Sequence, residues 1–414
     1  MRSWLCLALL FLSAPALGDW PQWRGPDSNA AVPAGDYPVE FSPTKNVVWK
    51  IDLPGPGAST PAVIGQTVFV TCEVEGEDTL CRYGLDGSHK WTKQLGQGRE
   101  GKHRLATGAN PSPVVDEERV YAYYKSGRLV ALTHDGQEVW QRELQAEFGP
   151  DTLWWDLGSS PILTEAGVLI AVMQAGGSYL ATFDRATGEL VWKQPRDFDR
   201  PEESDQSYTT PALVDTDQGP RVVVWGADFI TGHDPVTGEE RFRCGGFNPD
   251  EQPMWRSIAS STIANGLIVT PFGRGDFLAA TKLGGTGDIT DSSRQWTLQG
   301  VGADVACPII ADGKVYVLGD RGEVTCVDLS SGEKLWSGKL PRGKGKYFSS
   351  PLLAGDLLYC LREDGVAYTA RVGDGLELLA TNDLEEEVVS QPTPITGGRL
   401  LVRTRTKLYL FGEE

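Results

Sequence analysis

Short runs in which apolar and polar residues alternate, each bounded by Gly and Asp, recur along almost the whole chain. Residues 306–341 show the unit, which reads CPII, DGKVYVLG, EVTCVDL and KLWSGKL, joined by turns rich in Gly, Asp and Ser. Alternation with a period of two between such turns is typical of strands and hairpins. No segment has a sustained helical period. The pattern therefore predicts an all-β chain built from four-stranded antiparallel units.

Two sequence markers repeat in the same order. The first is a short tripeptide, mostly a small residue, Ser or Thr, and Pro, that opens each unit: STP at 59–61, PSP at 111–113, SSP at 159–161, TTP at 209–211, SST at 260–262, ACP at 306–308, SSP at 349–351 and SQP at 390–392. The second is a Gly followed four residues later by a large apolar residue: Gly87/Trp91, Gly136/Trp140, Gly188/Trp192, Gly238/Phe242, Gly332/Trp336 and Gly375/Leu379. The unit at 260–300 departs, with the longer GGTGDITDSSRQW ending at Trp296.

A four-stranded unit every 40–50 residues is the blade of a β-propeller. Seven units are complete, and the eighth, which starts at Ser390, supplies only three strands. NVVWKIDL at 46–53 offers the missing strand, so the N- and C-terminal strands are expected to close the ring. We predict an eight-bladed β-propeller, with seven blades as the alternative if 260–300 is not a full blade. Large aromatic residues are predicted to lock the blades together: Trp49, Trp91, Trp140, Trp192, Trp296 and Trp336.

The N-terminus reads as a secretory signal peptide. Residues 1–18 carry one positive charge at Arg2, an apolar run at 5–12 and small residues at Ala16 and Gly18. The run is shorter than the roughly 20 residues that a membrane span needs. We expect cleavage near Gly18, an arm at 19–45 and a propeller at 46–414. The product is expected to be a periplasmic or secreted monomer without a transmembrane segment.

Composition narrows the function classes. The chain has 414 residues and a formal net charge of −18, which argues against nucleic acid as a partner. Four His leave little room for a multi-histidine metal site.

Among the cysteines beyond the leader, Cys72 and Cys81 flank a turn-like EVEGEDT segment. They either form a disulfide across a hairpin or remain two buried thiols.

Several segments resemble a known family. ATFDRATGELVW (181–192) and VDLSSGEKLW (327–336) resemble the tryptophan-docking repeats of pyrroloquinoline quinone (PQQ) propellers. DWPQWRGPD (19–27), LGGTGDIT (283–290) and LLATNDL (378–384) resemble exported PQQ-like propeller proteins of planctomycetes and related bacteria. The architecture is shared with the β-barrel-assembly lipoprotein BamB and with quinoprotein alcohol dehydrogenases. The resemblance implies fold and export, whereas activity must be argued from a site.

Loops that enter the innermost strands should form a rim around the propeller axis. The rim candidates for ligand binding are Trp155, Asp156, Tyr208, Trp255, Arg256, Asp304 and Tyr347. Aromatic rings beside Arg can stack on a planar anion or grip an extended peptide. The alternative is that these rings cap the core between blades.

The resemblance also defines what a PQQ dehydrogenase would need: a calcium held by carboxylates and an amide, a catalytic Asp, a Trp floor and often adjacent disulfide-bonded cysteines. This sequence has no Cys-Cys pair and no recognisable calcium cluster. We therefore expect no cofactor, no metal ligand and no catalytic residue. The sequence favours a non-catalytic, BamB-like binding or assembly scaffold for envelope polypeptides. The alternative is a PQQ-dependent alcohol or sugar dehydrogenase with calcium, in which Asp156 or Asp304 acts as base and Arg256 polarises a carbonyl.

Overall fold

A computed structural model describes residues 18–413, so the predicted leader lies outside the described residues except for Gly18. These residues form eight sheets of at least four strands. Blades 1 to 4 contain, from first strand to last, Ala62–Ile64, Thr67–Val74, Glu77–Gly84 and His89–Gln97; Val114–Val115, Arg119–Tyr123, Arg128–Thr133 and Glu138–Glu143; Ile162–Leu163, Val168–Val172, Tyr179–Phe183 and Leu190–Pro195; Ala212–Val214, Arg221–Gly226, Phe229–His233 and Glu240–Cys244.

The second half of the ring repeats this plan. Blades 5 to 8 contain Thr262–Ala264, Leu267–Phe272, Phe277–Lys282 and Arg294–Gln299; Ile309–Ala311, Lys314–Leu318, Glu323–Asp328 and Lys334–Lys339; Leu352–Ala354, Leu357–Leu361, Val366–Val372 and Leu376–Asp383; Thr393–Ile395, Arg399–Arg403, Lys407–Phe411 and Val47–Asp52. First strands of neighbouring blades contact one another, so they line the axis. Helices are limited in the described chain to Leu144–Phe148, Thr290–Ser293 and the 3-10 turn Glu202–Asp205, and none is long and apolar enough to cross a membrane.

The predicted eight-bladed fold is confirmed. The irregular unit at 260–300 forms a complete sheet, so the seven-bladed alternative is wrong. Val47–Asp52 pairs antiparallel with Lys407–Phe411, which closes the ring with one strand from each end of the chain, as predicted.

Tryptophans join neighbouring blades in six places. In each, the indole Nε1 donates to a carbonyl oxygen of the following blade over 2.8–3.2 Å: Trp49 to Leu85, Trp91 to His134, Trp140 to Arg185, Trp192 to Pro235, Trp296 to Leu329 and Trp336 to Gly373. In the first five of these places the ring also covers a turn glycine of the following blade. A Cβ on Gly136, for example, would lie 3.0 Å from the ring of Trp91. The Gly and Trp of one sequence marker therefore serve two different junctions.

The junction after blade 4 uses another device. Phe242 stands where the other blades have Trp, and it is fully buried. The strand Gly287–Asp288, from the insertion within blade 5, pairs parallel with Phe242 and Arg243. The long GGTGDITDSSRQW segment thus covers the outer edge of blade 4.

Candidate functional site

A ring of hydrogen bonds surrounds the propeller axis. Each unit contributes one residue of its opening tripeptide, and in seven of the eight units the backbone N–H of that residue donates to the side chain of its counterpart in the next blade. Seven such bonds, 2.9–3.1 Å long, connect Thr60 to Ser112, Ser112 to Ser160, Ser160 to Thr210, Thr210 to Ser260, Ser260 to Cys307, Cys307 to Ser350 and Gln391 to Thr60. The repeated tripeptide therefore encodes contact between blades as well as the start of a strand.

The N-terminal arm closes the channel beneath this ring. Trp20 exchanges backbone hydrogen bonds with Val63 of blade 1, and the carbonyl of Pro21 accepts from Val115 of blade 2. Farther along, Ala31–Val32 pairs parallel with the innermost strand of blade 7. The arm thus crosses the axis, and the axial cavity has a floor that includes the half-buried Trp23.

The conformation of the arm explains the string DWPQWRGPD. The ring of Trp20 covers Gly25, where a Cβ would lie only 2.7 Å from the indole. Gly25 has φ of 80°, a left-handed conformation that glycine adopts without strain. Gln22 Nε2 donates to the Gly25 carbonyl and to Ser28, which fixes the turn. The sequence predicted an arm at 19–45 but not that this arm closes the channel.

Above the floor lies an open-topped cavity of about 460 Å³, which we call the cup. Five of the predicted rim residues line it: Trp155, Asp156, Tyr208, Arg256 and Asp304. Ring residues, His103, Lys346 and Phe348 complete its wall. The ring positions carry a clear sequence signal, the repeated tripeptide, but nothing in that signal marks them as a binding surface.

Two predicted rim residues lie elsewhere. Tyr347 is buried and packs against Tyr368, with 6.3 Å between ring centroids. Trp255 packs against Phe272 and Phe277 beside the cup, with centroid distances of 6.4 and 5.7 Å. Both rings cap the core between blades, which is the alternative role considered for the rim aromatics.

Three carboxylates in or beside the cup wall are paired with cations. Asp156 accepts backbone N–H bonds from Lys102 and His103 at 2.8–3.0 Å and pairs with the buried Lys125. Asp304 receives Arg274 through both of its oxygens at 3.0–3.1 Å. These bonds position loops, and they occupy the lone pairs that a general base would use.

Glu203 is the third paired carboxylate. It accepts from Trp155 Nε1 at 2.8 Å and from Arg256 at 2.7 Å, while its own side chain has no exposure. Within residues 18–413, no three His, Cys, Asp or Glu side chains are grouped to hold a metal ion. Asp156, Asp304 and Glu203 thus already bind Lys and Arg side chains, whereas Asp320 in the cup wall has no ion pair among the described residues.

Neighbouring groups have pKa values shifted by burial. Burial raises the pKa of Tyr208, so its hydroxyl stays protonated at neutral pH. Burial also raises the pKa of Asp320, and the nearby Asp304 adds to the effect. Asp320 accepts the backbone N–H of Asp304 at 3.1 Å, which shows that it too holds the wall of the cup.

Apolar side chains are exposed at one side of the cup mouth. Trp154, Trp155 and Met254 are 48%, 43% and 43% exposed, and we call these three the rim patch. The turn Glu202–Asp205 joins its two halves, because Glu203 binds Trp155 through its side chain and Pro253 through its backbone N–H. Clustered exposed apolar residues of this kind mark interaction surfaces.

Cys72 and Cys81 lie on neighbouring strands of blade 1. Both are buried free thiols, and Cys72 Sγ accepts from a guanidinium nitrogen of Arg403 at 3.6 Å. The thiol of Cys81 and the cation of Arg403 both lower the pKa of Cys72, to about 7. The two alternatives stated for this pair, a disulfide or two buried thiols, are separated by the labelling experiment in the Discussion.

A family model described as outer membrane protein assembly factor BamB matches residues 35–232 and 248–409. The chain belongs to this family. The predicted resemblance to BamB-like PQQ-repeat propellers is thereby confirmed. No curated protein matches the chain.

Solved structures share the propeller at low sequence identity. BamB from Moraxella catarrhalis is 16% identical with a TM-score of 0.65, over 89% of this chain and 97% of that one. The quinohemoprotein alcohol dehydrogenase from Comamonas testosteroni is 14% identical with a TM-score of 0.70, over 96% and 81%. A europium-containing methanol dehydrogenase is 11% identical with a TM-score of 0.70, over 96% and 98%. Because assembly factors and dehydrogenases both appear, these similarities establish the fold alone.

Proposed function

We propose that this protein is a non-catalytic binding or assembly scaffold of the cell envelope that holds an extended polypeptide at the rim patch. The observation that carries the proposal is the contrast at the cup mouth. Trp154, Trp155 and Met254 are exposed there, whereas Asp156, Asp304 and Glu203 are each tied to a cation. The mouth thus offers apolar contact area, and these three carboxylates are not free to act as bases.

The rim patch suits an extended chain. Trp154 and Trp155 are adjacent in one loop, and their rings supply large contact area at a low cost in side-chain entropy. Arg256 lies over the ring of Trp155, 5.8 Å from its centroid, which fixes the indole before a partner binds. Such preorganised aromatic anchors dominate the energetics of many interfaces. The family description, an assembly factor, and the predicted leader support an envelope polypeptide as the partner.

The test uses a chemically unfolded outer-membrane β-barrel polypeptide as the probe. The double variant Trp154→Ala/Met254→Ala should weaken its binding by about tenfold, because two exposed apolar anchors are lost. The matched control is Val236→Ala/Leu335→Ala, which removes equally exposed apolar side chains away from the cup and should leave affinity unchanged. Equal effects of both double variants would contradict the proposal.

The oxidoreductase alternative has its own test. Purified protein is titrated with PQQ and calcium while absorbance and dye reduction with alcohols and sugars are followed. Saturable binding accompanied by turnover would overturn the scaffold proposal. We expect no turnover, because the two predicted bases, Asp156 and Asp304, are occupied by Lys125 and Arg274.

A further inference from the structure

The hydroxyl groups of the axial ring have hydrogen-bond donors to spare. Each accepts a backbone N–H from the preceding blade, and none of their own O–H groups has an acceptor among the described residues: Thr60, Ser112, Ser160, Thr210, Ser260 and Ser350. All of these except Ser260 line the cup. The cup wall therefore presents five O–H donors around one axis, and most of these residues are over nine-tenths buried.

A buried cation lies next to this ring. The guanidinium of Arg24 is 1% exposed and donates to Thr262 Oγ1 and to the Asn29 carbonyl, each at 2.8 Å. It also interacts with the thiol of Cys307, which lines the cup. It also donates to the Pro308 carbonyl, so its oxygen acceptors in the described chain are all neutral, although buried charges are usually paired.

The remaining charges of the cup nearly cancel. Arg256 and Arg274 are paired with carboxylates, as described above. Lys346 lies in the wall without an ion pair among residues 18–413, and it attracts the nearby Asp320. The charge that stays uncompensated is that of Arg24, so the field at the ring favours an anion.

The shape of the cup restricts the kind of molecule that can carry this anionic group. Because the arm forms a floor, a chain cannot pass through the channel, and only a chain end or a small molecule fits. A volume of about 460 Å³ is within the range of small-ligand sites. Ile258, Phe348 and Val389 give the wall apolar surface beside the hydroxyls, which an inorganic ion would leave in contact with water.

We propose that the cup binds an organic carboxylate, with the five ring hydroxyls that line the cup donating to its oxygens and Arg24 favouring its charge. The carboxylate is either the C-terminus of a polypeptide or that of a free organic acid. In the first case the inference rests on the proposed function, because the rim patch would hold the preceding residues. The carboxylate site itself is testable without a polypeptide.

The first test compares N-acetyl-phenylalanine with its C-terminal amide by isothermal titration calorimetry. The two probes differ only in carboxylate and carboxamide. The acid should bind saturably and the amide about tenfold more weakly, because a charge-assisted hydrogen bond is replaced by a neutral one. Equal affinities, or no binding of the acid, would overturn the proposal.

Two variants of the axial ring distinguish an effect on ligand affinity from an effect on the stability of the fold. Ser112→Ala and Ser260→Ala each remove one hydroxyl that accepts a backbone N–H, but only Ser112 lines the cup. Both should lower the melting temperature alike. Ser112→Ala should also weaken N-acetyl-phenylalanine binding about fivefold, with Ser260→Ala close to wild type. Equal losses of affinity would attribute the effect to folding and reject the site.

A third arm identifies the source of the carboxylate. A pentapeptide that ends in phenylalanine with a free carboxylate is compared with N-acetyl-phenylalanine. Tighter peptide binding that is lost in Trp154→Ala/Met254→Ala indicates a polypeptide C-terminus, and equal affinities indicate a free acid. If the unfolded polypeptide binds the rim patch while the small acid does not bind, the carboxylate site is wrong and the proposed function stands.

Discussion

Replacing Lys125 by Met tests what holds the loop at 100–105 against the cup. Lys125 and Asp156 have side-chain exposures of 2% and 5% and form an ion pair. Lys125 Nζ also donates to the Glu100 carbonyl at 2.7 Å, and Asp156 receives the backbone N–H groups of Lys102 and His103. The pair thus connects blade 2 to the loop that carries His103 into the cup wall.

The expected loss in the free energy of unfolding follows from the burial of the ion pair. In Lys125→Met the carboxylate of Asp156 stays buried without its cation, and breaking a buried pair in this way costs about 3–5 kcal/mol. The double variant Lys125→Met/Asp156→Asn carries no buried charge, so it should be more stable than the single variant. Its amide can accept only part of the backbone donors, so it should remain below wild type.

Equilibrium unfolding in urea measures these changes in the free energy of unfolding. Lys346→Gln serves as the control, because this exposed residue has no ion pair in the described chain, and its change should be within about 0.5 kcal/mol. A loss below about 1 kcal/mol in Lys125→Met would refute the reasoning, since a buried pair broken on one side costs more. A double variant less stable than the single one would refute it equally.

Other predictions follow from the blades. Trp140→Ala should lower the free energy of unfolding in urea by about 3–5 kcal/mol, because a buried ring is lost. Trp336→Ala should lower it clearly less, because this ring is less buried, and equal losses would contradict the prediction. Burial lowers the pKa of His233 to about 4 from its usual 6.5, so its neutral form contributes roughly 3 kcal/mol that is lost as pH falls from 6.5 to 4. The difference in stability between wild type and His233→Asn should shrink over that window, and a pH-independent difference would contradict it. After denaturation, Cys72 and Cys81 should both react with a thiol reagent without prior reduction, whereas a disulfide would block both.

Local patterns in the sequence were sufficient to predict the blades. Alternating residues and turn glycines report backbone conformation within a few residues, and a fixed repeat multiplies that signal. The same regularity identified NVVWKIDL as the strand that completes blade 8, although its partner Lys407–Phe411 is some 360 residues away. The sequence could not decide whether 260–300 is a complete blade, because the insertion in this unit interrupts the spacing between the turn Gly and the large apolar residue that marks the other blades.

The candidate site depended on contacts that no local pattern contains. Asp156 and Asp304 looked like free bases in sequence, yet each is paired with a cation that the fold brings from another loop. Tyr347 occupies a rim loop but packs into the core against Tyr368.

The sequence by itself determined an eight-bladed ring and the places where each blade begins. Only the tertiary structure decided that the middle of the ring is a closed cup, because Trp20 and Arg24 of the arm meet blades 1 and 5 across the axis. The tertiary structure also places the hydroxyl residues of the repeated tripeptides in a ring around the axis. The physical reason is that backbone period is a local property, whereas the pairing of a buried charge or a spare hydrogen-bond donor depends on residues that meet only when the ring closes.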